Sequence, residues 1–207
     1  MLPGDRRAFI QRIWLLDWPN DWFIPRDFPI NMRDATLFTY ETGIHEKILL
    51  HRRGYQLRLA ENRATWNRTK TGNEISFPIE PHLREVATRL LSHLPPDHCT
   101  RPFTCPSQFV VPLTRAFQRM ANKAQAPGVG SRTLRHTSIR RAFERGANRP
   151  EVLKLYFGRG SGDIADRYAS LTAPTEYERK MLAGDFPPDW GPTRAGYGSA
   201  KPAASPT

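Results

Sequence analysis

The residues best suited to chemistry crowd into one stretch, SRTLRHTSIRRAFERGANR at 131–149, which holds six Arg and one Glu. A guanidinium fork matches phosphate oxygens in pairs, so an Arg-rich helix is built for polyanions. On a helix Arg141 and Arg145 stand four apart and repel unless an anion lies between them. Arg140, Arg141 and Arg145 are therefore the candidate nucleic-acid contacts, against the plainer alternative of a solvated basic face. Arg132 and Arg135 stand three apart at the start of the same helix and share a face. A second grouping, His98, Cys99 and Cys105, invites a zinc reading, but its spacing is not that of a zinc site, and no metal or cofactor is expected.

The whole chain leans the same way as the cluster. Its 207 residues carry 31 Lys plus Arg against 20 Asp plus Glu, a net charge of +11, and 25 of the cations are Arg. DNA, RNA and anionic lipid all fit that charge. Apolar residues make up 39%, enough for a core. The longest charge-free run, between Arg101 and Arg115, is shorter than the ~20 residues a membrane span needs and is broken by Pro106 and Pro112. The first residues, MLPGDRRAFIQRIWLLDW, have too short an apolar patch for a secretory signal. Two cysteines cannot build a disulfide framework, which points to a reducing, cytoplasmic compartment.

The elements that must position the cluster can be traced along the chain. Residues 1–32 are rich in Trp, Phe and Pro and read as an arm packed on the domain. Residues 33–52 read as one helix with Leu37, Tyr40, Ile44 and Ile48 on a face and Gly43 weakening its middle. RATWNRTK and EISFPI flank Thr71-Gly72-Asn73, a hairpin signal. Residues 81–94 form an amphipathic helix opened by Pro81, and Leu113, Phe117 and Met120 mark another that ends before Pro127-Gly128. Residues 133–145 make the Arg helix, which Gly146 terminates. Pro150 opens a helix that Gly158 closes. Asp163 begins a short one with Ile164, Tyr168 and Leu171 in line. From Asp185 onward Pro, Gly, Ala and Ser dominate, which predicts a disordered tail over 185–207. The fold class is mostly α with a small β-sheet, in a domain spanning 33–184.

In order and at these spacings, the motifs resemble the catalytic domain of tyrosine recombinases, the phage integrase family. Arg135, His136 and Thr137 match its Arg-His-Thr, Phe157-Gly158 its Leu-Gly, and Arg167-Tyr168 its Arg-Tyr. TKTGNEISFPI at 69–79 is similar to the family's hairpin, whose Lys falls at Lys70. The resemblance covers roughly residues 35–172. It implies double-stranded DNA as partner, with self-assembly on that DNA, and site-specific recombination without a metal. Tyr168 would attack a phosphodiester and form a phosphotyrosine link, Arg135 would clamp the phosphate, and Lys70 would protonate the leaving oxygen.

Three positions depart from the family pattern. His45 stands where the family has its first Arg, in Thr42-Gly43-Ile44-His45, and a neutral imidazole cannot make the bidentate phosphate contact. Arg132 replaces the His of His-x-x-Arg, and Arg159 replaces the His of Leu-Gly-His. Both can bind phosphate, but Arg is a poor proton shuttle. Removing one positioned donor costs ~10²–10³ in rate. The alternative expectation is therefore a catalytically impaired DNA-binding relative or a decayed mobile-element integrase.

Overall fold

The helices of this chain begin where a side chain can take the first free N–H groups. Asn31 accepts from Asp34 N at 3.1 Å and opens a helix over Met32–Thr42. Asn148 and Glu151 exchange backbone bonds of 2.9 and 2.8 Å, a capping box that starts the helix Arg149–Phe157. Thr175 and Glu178 do the same for Glu176–Ala183, at 3.2 and 2.8 Å. The structure is a computed structural model that describes residues 3–15, 22–23, 30–45, 48, 55–67, 74–92, 110–158 and 174–191.

Among the described residues there are seven helices and two small sheets: α1 (Pro3–Leu15), β1 (Trp22–Phe23), β2 (Ile30–Asn31), α2 (Met32–Thr42), β3 (Tyr55–Arg58), β4 (Arg63–Asn67), β5 (Glu74–Pro78), α3 (Pro81–Ser92), α4 (Val110–Lys123), α5 (Ser131–Glu144), α6 (Arg149–Phe157) and α7 (Glu176–Ala183). None of these helices is long and apolar enough to cross a membrane. Strands β1 and β2 pair antiparallel, Trp22 opposite Asn31. Strands β3, β4 and β5 form an antiparallel meander in that order.

The centre of the molecule is α2. All of its residues except Arg33 are buried, and α5, α3, α1 and α4 pack around it. A helix enclosed on all sides must settle its polar groups internally. Thr36 and Thr42 donate to the carbonyls of Met32 and Phe38, each at 2.7 Å. Asp34 takes a two-pronged bond from Arg89 of α3, both arms 2.9 Å. From α1, Phe9, Ile10 and Ile13 complete the core.

The sheet presents Ala64, Trp66, Ile75 and Phe77 to the core, paired Ala64–Phe77 and Trp66–Ile75, as period-two alternation requires. Pro78 is tolerated because β5 is an edge strand. Helices α6 and α7 lie against β5. Their joint is an ion pair on a buried carboxylate: Glu178 accepts from Lys154 of α6 at 2.7 Å and from Arg63 of β4 at 3.0 Å. These cations outweigh its burial and hold the carboxyl below its ordinary range.

Two expectations are corrected, and two elements were not expected at all. The helix expected over 33–52 stops at Gly43, whose left-handed φ of +64° turns the chain and whose N–H donates to Thr39 O at 2.8 Å. Strand β3 and helix α7 escaped the reading. The segment 185–191 is folded rather than a disordered tail: Trp190 is 6% exposed, and the Gly191 carbonyl accepts from Gln11 of α1 at 2.8 Å. Two rings, Trp190 against Trp14 and Phe186 against Tyr177, anchor a segment otherwise short of apolar residues.

Candidate active site

The C-terminal end of α2, the first turns of α5 and the C-terminal end of α6 meet at Arg135. Its guanidinium donates to the carbonyl of Gly43 just past α2, and to the carbonyl of Tyr156 in the last turn of α6 at 2.8 Å. Both carbonyls lie at helix C-terminal ends, where the backbone dipole favours a cation. The guanidinium also lies over the Phe157 ring at 5.7 Å from its centroid. Gly43 has to be Gly here. A Cβ at that position would meet Tyr156 Cε1 at 3.0 Å, on top of the cost of a positive φ.

Below Arg135 the seam between α2 and α5 is polar. Ser138 Oγ donates to the Glu41 carbonyl at 2.7 Å and lies 3.0 Å from the Tyr156 hydroxyl. Burial pushes that hydroxyl up to about 12, so it stays protonated and donates to the Ser138 carbonyl at 3.2 Å. Arg141, next along the same face, pairs with the Glu41 carboxylate at 2.8 Å and with Asp189 at 3.1 Å, and stacks on the Tyr40 ring. Burial alone would lower the Arg141 pKa, but the Glu41 carboxylate raises it. Burial alone would raise Glu41; Arg141, with His82 and Arg145, holds it well below its ordinary value.

Two of the expected DNA contacts are corrected by these distances. Arg141 is 3% exposed and neutralises Glu41 inside the molecule. Arg145 is mostly buried, bonded to Glu80 of the β5–α3 junction at 3.1 Å and stacked over Phe186. The four-residue spacing that suggested a shared phosphate is served instead by two internal carboxylates. Arg140 does face solvent, where it pairs with Glu144 at 2.9 Å.

Of the expected catalytic positions, Arg135 is described above. Arg132 is exposed one turn before it on α5, and His45 is half-buried two residues beyond Gly43. Lys70, Arg159 and Tyr168 lie outside the described residues, as do His98, Cys99 and Cys105. The described residues do contain one grouping with metal-like ligands, Glu41, Glu80 and His82. Its carboxylates already take Arg141, Trp190 and Arg145, and His82 lies between them, 3.8 and 4.0 Å away.

Known structures share this arrangement of elements. An integrase from mycobacterium phage Brujita superposes with a TM-score of 0.56 at 16% identity, over 84% of this chain and 56% of that one. The XerA recombinase gives 0.54 at 12% identity, over 91% and 65%. The Tn1549 transposon integrase, solved with circular intermediate DNA, gives 0.52 at 15% identity, over 87% and 64%. The fold is that of the tyrosine-recombinase catalytic domain. No protein-family model matches the sequence, and no curated protein matches it. The chain spans between about half and two thirds of the length of these recombinases.

Within the recombinase fold, Glu41, Ser138, Tyr156, Asp189 and Trp190 are the residues that sequence reasoning missed. Glu41 had a signal: a carboxylate on a helix lined by Leu37 and Tyr40 needs a partner, as Asp34 on the same helix does. Asp189 and Trp190 had none, because nothing local ties them to α2.

Proposed function

We propose that this chain binds double-stranded DNA and recombines it at specific sites through a phosphotyrosine intermediate. The observation that supports this most is the placing of Arg135. One guanidinium gathers the backbone beside His45 and the backbone leading to Arg159, two of the positions the family uses on the scissile phosphate. The Tn1549 integrase, of similar fold, was solved bound to DNA.

In this reading Arg135 faces the non-bridging oxygens of the phosphate, and Arg132 adds charge from the exposed first turn of α5. The Tyr168 oxygen forms a bond to phosphorus as the bond to the 5′ oxygen breaks. Lys70 gives its proton to that oxygen, and the Tyr168 hydroxyl proton passes to solvent. Rejoining reverses these transfers with a second strand, so copies of the chain assemble on the DNA. Two cysteines and a DNA substrate go with a cytoplasmic location.

A second reading, a DNA-binding relative with impaired cleavage, is favoured by His45, Arg132 and Arg159 at altered positions. The protein mixed with a nicked, labelled suicide duplex and run on a denaturing gel separates the two. A shifted band that vanishes in Tyr168→Phe and strengthens in His45→Arg supports the enzyme. No band in either wild type or His45→Arg leaves the non-catalytic reading.

A further inference from the structure

We infer that Asp189 and Trp190 are positioning residues for the Arg135 site, acting through the buried pair Glu41–Arg141. Three contacts pin α2 to α5. The Gly43 carbonyl takes Arg135, the Glu41 carbonyl takes Ser138 at 2.7 Å, and the Glu41 carboxylate takes Arg141 at 2.8 Å. Residues 135, 138 and 141 recur every three along α5, so the contacts form one row of rungs.

The third rung is incomplete without the segment after α7. Trp190 Nε1 donates to the other Glu41 oxygen at 2.8 Å. Asp189 gives Arg141 its second carboxylate at 3.1 Å and accepts from the Tyr40 hydroxyl at 2.5 Å. Arg6 of α1 reaches the same Asp189 oxygen at 3.7 Å. The Trp190 ring fills the space between Trp14 and His82, 5.1 and 5.5 Å from their ring centroids. Removing the segment leaves Arg141 with one carboxylate and Glu41 with one fewer donor, inside a region closed to water.

Glu41 is in the last turn of α2, two residues before Gly43. A freed Glu41 therefore loosens the turn whose carbonyl Arg135 holds. The contacts of Asp189 and Trp190 are with groups behind the site, so they set its geometry and touch no substrate. The inference rests on the proposed function only for its catalytic consequence; the structural coupling stands independently.

The test uses the full chain with Trp190→Phe, which keeps a ring and deletes the N–H, and Asp189→Asn, which keeps size and removes charge. Met181→Ala, a core truncation on α7, controls for general destabilisation. Amide hydrogen exchange at Gly43 is read by NMR under native conditions. The expected result is a fall in Gly43 protection of about tenfold in both variants, as for loss of one buried bond, with little change in Met181→Ala. Unchanged protection in both variants, or an equal fall in the control, overturns the inference. In the suicide-duplex assay the same variants should form the covalent band several-fold more slowly at unaltered DNA affinity. Absence of any band in wild type counts against the proposed function alone, because the exchange measurement still decides the coupling.

Discussion

The two sides of α5 carry the same residue type to opposite ends. On the outer side Arg132 and Arg140 are exposed, and Arg140 makes only a surface pair with Glu144. On the inner side Arg135 is fixed by carbonyls at the ends of α2 and α6, and Arg141 by carboxylates of α2 and of the segment after α7. An Arg run read as one basic surface is thus two populations. One lends the surface its charge, and the other builds the frame that holds the site.

The sharpest way to break this contrast is to truncate one Arg from each side. Arg141→Ala leaves Glu41 charged and buried, and should lower unfolding stability by ~3–5 kcal/mol. Arg140→Ala should stay within ~0.5 kcal/mol, as for an exposed helical pair. Urea titrations of the two variants measure this. Equal stabilities would show that the inner side is not structural.

Gly43→Ala probes the inner side from the other helix. The positive φ and the approach to Tyr156 should cost ~1–3 kcal/mol, measured the same way. A variant as stable as the parent would mean that α2 and α6 need not approach closely at Arg135.

Two carboxylates of the inner frame should differ in sign with pH. Burial, then the neighbouring Glu41 charge, pushes the Glu80 carboxyl up from 4.5 to about 6. The folded chain therefore binds this proton more readily than the unfolded chain, and the Glu80 contribution to stability is lost as pH rises from about 4.5 through 6. Glu41 is depressed, so its contribution is present above its unfolded value and lost as pH falls below it. Glu80→Gln should remove the part of the stability profile between about pH 4.5 and 6 at modest cost at neutrality. Glu41→Gln should destabilise at pH 7. Thermal unfolding across pH 4–8 resolves the two, and parallel profiles would show that Glu80 does not carry the raised value.

The smallest stability effect belongs to the outer side, where its value is as a reporter. Arg132→Ala should leave folding unchanged and reduce the slope of log DNA affinity against log salt by about one, if it meets a phosphate. An unchanged slope would remove Arg132 from the interface.

Much of this architecture was legible locally. The hairpin strands, the helix at 81–92 and the helices on either side of Gly146 follow from period, Pro and Gly signals that act within a few residues. What stayed hidden depends on distant partners. Gly43 reads as a weak point inside one long helix, and only the structure shows it as a stop with Tyr156 closed against it. Arg141 reads as surface charge until Glu41, 100 residues away, turns out to be buried beside it. The segment 185–191 has few apolar residues, and it folds because Trp190 meets Trp14 and His82, Phe186 meets Tyr177, and Asp189 meets Arg141. Arg135 was found because the resemblance marked it, whereas its carbonyl partners could not be read from any spacing.

The ion pair between Lys154 and Glu178 also acts as a clasp. It joins residues 24 apart in sequence, and the stretch carrying Tyr168 lies between them. Glu178 also accepts from Arg63 of β4 at 3.0 Å, so one buried carboxylate ties both ends of that stretch to the sheet. Glu178→Gln should therefore free α6 and α7 from the sheet together, because each cation loses the same partner.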